Sequence, residues 1–427
     1  MMKQTVSAAL CALAWNITTA NAQNTVVVQS GESLSEQDLI NGTFMGQDFD
    51  LAPDTIFQIQ NGGLIGPIGS SSEVSPFSFG GSSVNLEAGS NFTPIFDITK
   101  SYLSDITLNA YENSTIWDAS LVGLAAQVNL HGGFYVGSLY DGATLNMDSG
   151  ALIAGTKAYR GSTINTTGGL IQFLGIYEKS TINASNTEIL NSFGVFSGST
   201  ANIVNSTIGP DAWIQNSTLN MTSGSIGDSL FLQGAQTVLN GVDVVGEAEM
   251  RGGNLTIIDS TFGDRFMMDY DTNVELVSGR IGDHAYVIDS FGFGNAGVLT
   301  VRGGSVGDYL TLAHRATLDV YGGEFGTIRA SSYGLTINLF VTSASLNGVE
   351  LDLQLFDTVE IEERDSALLE AILSDGTYFD LLLKENGGVG EDSIAGNTHL
   401  TVTLIPSPAT VTLLCPFGFL AITRRRR

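Results

Sequence analysis

The sequence predicts an all-β chain: a right-handed parallel β-helix, a solenoid with rungs of about 19 residues, closed by a small antiparallel β cap. Three observations carry this expectation. A phrase of the form (Ser/Ala)-Thr-apolar-Asn returns as "GATLNM" (142), "GSTINT" (161), "KSTINA" (179), "GSTANI" (198), "NSTLNM" (216) and "ATLDVY" (316), with most neighbouring copies 18 or 19 residues apart. Inside the copies the residues alternate, as in Leu145-Asn146-Met147 and Leu299-Thr300-Val301, so apolar side chains share one strand face. Small pairs such as Gly252-Gly253 and Gly303-Gly304 separate the strands and permit tight corners.

Taken in order, residues 23–54 are expected to form an N-terminal cap with a first irregular turn, and residues 55–340 the repeat array. Looser copies of the phrase are "QTVLNG" (236), "NLTIID" (254), "NVELVS" (273) and "VLTVRG" (298). A second short strand is expected after each Gly-Asp, in "SLFL" (229), "RFMM" (265) and "YLTL" (309). Stacked turns would lie ~4.8 Å apart and pair as parallel strands. The insertion "DSFGFGNAG" (289–297) fits corners that tolerate extra residues. A left-handed hexapeptide coil would keep multiples of six, and a propeller would need longer blades.

Residues 341–404 change texture. Asn347-Gly348 signals a hairpin, Val349, Leu351, Leu353 and Leu355 alternate with polar residues, and Asp375-Gly376 signals a second hairpin before "THLTVTLI". This predicts the antiparallel cap, with a short helix over 366–373 as the alternative. Residues 384–397 read as an exposed loop.

Both ends carry addresses. Residues 1–22 combine Lys3, an apolar stretch and small residues at Ala20 and Ala22, the layout of a secretory signal cleaved after Ala22. Residues 405–427 combine Pro406 and Pro408, an apolar run over 409–423, and Arg424, Arg425, Arg426 and Arg427. As a helix that run covers ~22 Å, short of a ~30 Å hydrocarbon core, so it reads as a transient membrane stop. The tail resembles the C-terminal sorting signal of PEP-CTERM proteins, the substrates of exosortase; the family's central Glu is Ser407 here, and Pro416 interrupts the apolar run. The resemblance implies exosortase-type machinery as a partner. It also implies a secreted protein of the cell envelope or extracellular matrix in a Gram-negative or planctomycete-like bacterium. The GGxxGD array likewise resembles secreted solenoid proteins of planctomycete-like bacteria, which implies a fold and no activity.

Removing both ends takes the net charge from −27 to −32 and removes Cys11 and Cys415, the only cysteines. Such a chain has no disulfide, repels nucleic acid and anionic lipid, and attracts divalent ions.

The sharpest candidate site is a column of corner acids: Asp228, Glu247, Asp264, Asp283 and Asp308. Charges ~5 Å apart repel by roughly 0.8 kcal/mol in water and ~3 kcal/mol at an effective dielectric of 20, so a stacked column needs partners. The side chains splay into water, cap backbone N–H groups of their own turns, or hold cations; Ca²⁺ is the candidate cofactor. The order weakly resembles the Ca²⁺-binding nonapeptide of RTX solenoids. A second column, Asn146, Asn165, Asn183, Asn202, Asn220 and Asn240, reads as an outward polar ladder. Arg251, Arg265, Arg280, Arg302 and Arg315 fall at different phases of their turns, as do His284 and His314, and no nucleotide, zincin or hydrolase motif is present. The sequence therefore points to a non-enzymatic structural or adhesive solenoid with an acidic surface, binding matrix polysaccharide or divalent cations. The alternative is a carbohydrate-active β-helix enzyme, a polysaccharide lyase or glycoside hydrolase.

Overall fold

The computed structural model describes residues 24–406 apart from 30–31, 46, 50, 52–54, 61–63, 66–76, 93–100, 289–296, 331, 333, 363–364, 385–391 and 395–396. Ala20, Ala22, Pro408, Arg424–Arg427, nearly all of the 289–297 insertion and most of the 384–397 loop lie outside the described residues. Among the described residues the chain is all-β apart from one short helix and is wound as a parallel β-solenoid; it packs as two compact units, Met1–Gly137 and Ser138–Arg427.

In the second unit each turn of the coil has three faces. The repeated phrase makes the first, with Thr144–Met147, Thr163–Thr166 and Thr181–Ser185 paired in parallel. Leu152–Ile153, Leu170–Ile171 and Glu188–Ile189 make the second. Thr156–Ala158, Leu174–Ile176 and Phe193–Phe196 make the third. The second face, just ahead of Gly-Asp, was not anticipated. Its two-residue strands are too short to show an alternation. In mid-unit the corners soften and one strand, Leu230–Val244, runs across all three faces, bending at Gly234 and Gly241.

Alternation sets what is inside. Leu145, Ile164, Ile182, Ala201 and Leu219 stack on the inner side of the first face, and none is exposed. Each large aliphatic buried this way contributes about 1.5–3 kcal/mol. The intervening asparagines point outward and bond one another: Asn165 donates to Asn146, Asn183 to Asn165 and Asn202 to Asn183, each at 2.9 Å, and Asn220 to Asn202 at 3.0 Å. Asn240 does not continue the ladder. Val238 faces Asn220, and Asn240 faces Thr222 instead. A slip of two residues leaves every side chain on its proper face, so apolar alternation alone cannot reveal it.

The first unit follows the same plan. Asn24–Val28, Thr55–Ile59, Ser83–Leu86, Thr107–Tyr111 and Gln127–His131 pair in parallel. Asn85, Asn109 and Asn129 form their own ladder, with 2.7 Å bonds. The coil therefore begins at Asn24, ahead of the expected array start at 55. Within that first turn sits the helix Glu36–Asn41, capped by Ser35 and Asp38 in a reciprocal capping box. Gly42 closes it in the left-handed conformation. A small antiparallel pair, Thr43–Phe44 with Gln47–Asp48, follows the helix.

The cap is antiparallel, as expected, but it is an excursion within the coil. Thr336–Leu346 begins on the first face, paired in parallel with Thr317–Val320. Past Val341 it becomes an antiparallel partner of Val349–Glu350 and Asp365–Leu373. Asp365–Leu373 is a strand, which excludes the helix alternative, and pairs with Tyr378–Lys384 around Asp375-Gly376. The alternating segment after Asn347-Gly348 is strand only at Val349–Glu350, and Val349, Leu355 and Phe356 are exposed. The chain then returns to the coil: Ser393–Ile394 pairs in parallel with Arg329–Ala330, and His399–Leu404 with the start of Thr336–Leu346.

Asp392 fastens this return. Its carboxylate accepts the backbone N–H of Ile328 at 2.9 Å and that of Leu382 at 3.2 Å. Burial raises its pKa, opposed by those two bonds and reinforced by nearby Asp380. A raised value means that the folded state holds this proton more tightly than the unfolded chain does. Stability from this group is then present below the ordinary carboxyl value near 4 and lost as pH rises through the folded value. Melting curves should accordingly show the wild type losing ground to Asp392→Asn as pH is raised from about 4 to about 7. A constant difference would count against this account.

Candidate functional site

The Gly-Asp corner joins the second face to the third. Ile281 stacks on Phe262 and under Val306, and Tyr286 on Met267 and under Thr311, so the corner residues between them also stack. Asp264 Oδ1 accepts the backbone N–H of Asp283 at 3.0 Å, and Asp283 Oδ1 accepts that of Asp308 at 3.1 Å. Each of these carboxylates caps the turn that follows, where the sequence pointed to its own. This explains the glycine as well. A Cβ on Gly307 would stand 2.1 Å from Asp283 Oδ1, on Gly326 2.3 Å from Asp308 Oδ1, and on Gly246 2.1 Å from Asp228 Oδ1. These glycines do not have positive φ, so the demand is for room.

Glu247 is not in the column. Val244 and Ala248 pair with Ile226 and Leu230 below and with Phe262 and Phe266 above. Equal connectors then put Gly246 in line with Asp228 and Asp264, and Glu247 in line with Ser229 and Arg265. Glu247 pairs with the Arg265 guanidinium. Arg280 stands 3.6 Å from Asp283, an exposed pair of small energetic weight. Among the described residues no group of three or more His, Cys, Asp or Glu side chains is placed to hold a metal ion.

A different feature emerges on the third face. Its outward residues form two columns. One runs Lys157, Gly175, Gly194, Trp213, Phe231 and Glu249. Beside it, Tyr140, Tyr159, Tyr177 and Phe196 stack with ring centroids 5.0–5.1 Å apart and planes within 15°. The rings of Tyr177 and Phe196 lean over the two glycines, where a Cβ would meet them at 2.5 and 2.3 Å. Two absent side chains, a ring wall on one side and the corner residues Phe173, Ser192 and Asp211 on the other leave a trough of about 710 Å³. Trp213 and Phe173 are 45% and 48% exposed along it. Phe196 meets Trp213, and Trp213 meets Phe231, edge to face at 5.6 Å. Arg251 closes the upper end, paired with Glu249 and set over the Phe231 ring. Burial raises the Tyr177 phenol above 10.0, so it is a neutral hydrogen-bonding group at ordinary pH.

The trough combines ring surface with isolated polar groups (Lys157, Ser192, Asp211, Ser229), which suits a ligand having both C–H faces and hydroxyls. Sequence reading missed it, although the signal was present: Tyr140, Tyr159, Tyr177 and Phe196 recur at the same one-turn interval as the asparagines. No protein-family description, curated protein or solved structure matches this chain.

The corner contact yields a double-mutant test. Gly307→Ala should cost about 1–3 kcal/mol in denaturant unfolding by forcing a methyl onto Asp283. That loss should shrink in an Asp283→Ala background; strict additivity would rule out the proposed clash.

Proposed function

We propose that this is a secreted, envelope-targeted structural or adhesive solenoid that holds extracellular polysaccharide in the third-face trough. The observation that carries the reading is the trough itself, aromatic along its length and open to solvent over several turns. The N-terminal leader and the sorting-type tail support export. The absence of cysteine from residues 23–408 is compatible with it, because parallel pairing and an aliphatic core do not depend on redox state.

Binding ranks above catalysis for a geometric reason. Glycoside cleavage by paired carboxyl groups needs two of them flanking one bond. Among the described residues Asp211 is the single carboxylate lining the trough. Glu247 and Glu249, beyond its upper end, are engaged by Arg265 and Arg251.

Passing the purified full chain over immobilised neutral and acidic polysaccharides, with retention and cleavage both scored, tests the reading. Retention without cleavage is expected. Trp213→Ala, at a surface position, should weaken retention about tenfold or more while the melting temperature holds, as for an exposed aromatic anchor. Release of shortened chains would establish the enzymatic alternative.

A further inference from the structure

We infer that the trough takes an uncharged polysaccharide of extended, equatorially linked sugars, lying along the coil axis with one unit on each of the turns of Gly175, Gly194 and Trp213; this rests on the reading of the trough as a saccharide site. Three features lead there.

The first is direction and pitch. The floor positions are stacked turn on turn, so the trough runs along the axis. Its ring wall rises 5.0 Å per turn. A pyranose in an extended 1,4-linked chain advances by about that distance, so each turn meets one sugar, with alternate units turned over about the chain axis. A coiled, axially linked glycan drifts out of step after one unit.

The second is charge. Arg251 is engaged by Glu249. Lys157 at one end and Asp211 on the rim contribute one charge of each sign. Beyond them the chain carries a net charge of −27. A polyuronate would bring a carboxylate to each turn and find no matching column of cations. An uncharged glycan meets no such penalty.

The third is the backbone. A peptide bound as an added strand needs a free sheet edge. The trough lies on the outer surface of a sheet whose amides are used in pairing: Leu174 N–H bonds Ser192 O, Phe193 N–H bonds Asp211 O, and Ala212 N–H bonds Ser229 O. What is offered is ring surface and side-chain polar groups, which fits sugars and does not fit an extended peptide.

Calorimetric titration of the purified full chain with a β-1,4-linked neutral oligosaccharide series of one to six units, and with a matched uronate series, tests this. Affinity should climb at least fivefold per unit to three units and then level off, with the uronates at least tenfold weaker. Gly194→Thr should abolish binding and lower the melting temperature as well, since its side chain must push the Phe196 ring out of the stack; the exposed Trp213 carries the test without that cost. Trp213→Ala should move the plateau from three units to two. Tighter uronate binding, or affinity independent of length, overturns this inference while the saccharide site stands. Failure of the full chain to retain any polysaccharide overturns the site itself.

Discussion

Every other feature of this protein depends on parallel, in-register pairing between successive turns. Each strand amide bonds the turn above or below, so residues one turn apart are held at the spacing of paired strands. Like side chains then stand on like side chains. For aliphatics and asparagines this is favourable, because a column of leucines stays dry and a column of amides can pass hydrogen bonds upward. For carboxylates it is unfavourable unless each finds a donor. The Asp264–Asp283–Asp308 corner meets that demand with main-chain N–H groups, drawing on the same one-turn offset that creates the repulsion.

The glycines follow from this constraint in two different ways. Gly279 has φ +102 and lies against the carbonyl of Ser260, so both its conformation and its lack of a side chain matter. Gly307 has no positive φ and is needed for the space taken by the aspartate below it. Gly175 and Gly194 belong to neither class. They are gaps in an outward column, and the rings of Tyr177 and Phe196 fill part of the space above them. One residue type thus marks a corner, a cap and the floor of a trough on the same coil.

Much of the fold was legible in the amino-acid order, and its errors have physical causes. The first face was readable because its alternation is long enough to register. The second face was not, since Leu152–Ile153 and its equivalents outside the long mid-unit strands are two or three residues long. Asn240 was misplaced by two positions, a shift that preserves inside and outside. Glu247 was misplaced by one, in a corner where no alternation operates. The trough escaped notice because its floor is made of absent side chains, and glycines in a glycine-rich repeat read as corners. The ring column beside it was visible as a period but had no chemistry attached until the glycines were placed next to it.

The excursion between Val341 and Lys384 has a consequence for how far such a coil can grow. A wound sheet that ends on a bare parallel strand offers a template to the next molecule and invites fibre formation. Here His399–Leu404 takes Thr336–Leu346 on one side and the oppositely directed Thr358–Glu360 on the other. The register that propagates through the unit is broken by a reversal of chain direction, and a second molecule arriving there meets a strand already occupied. The same sequence that repeats itself so persistently thus carries its own terminator.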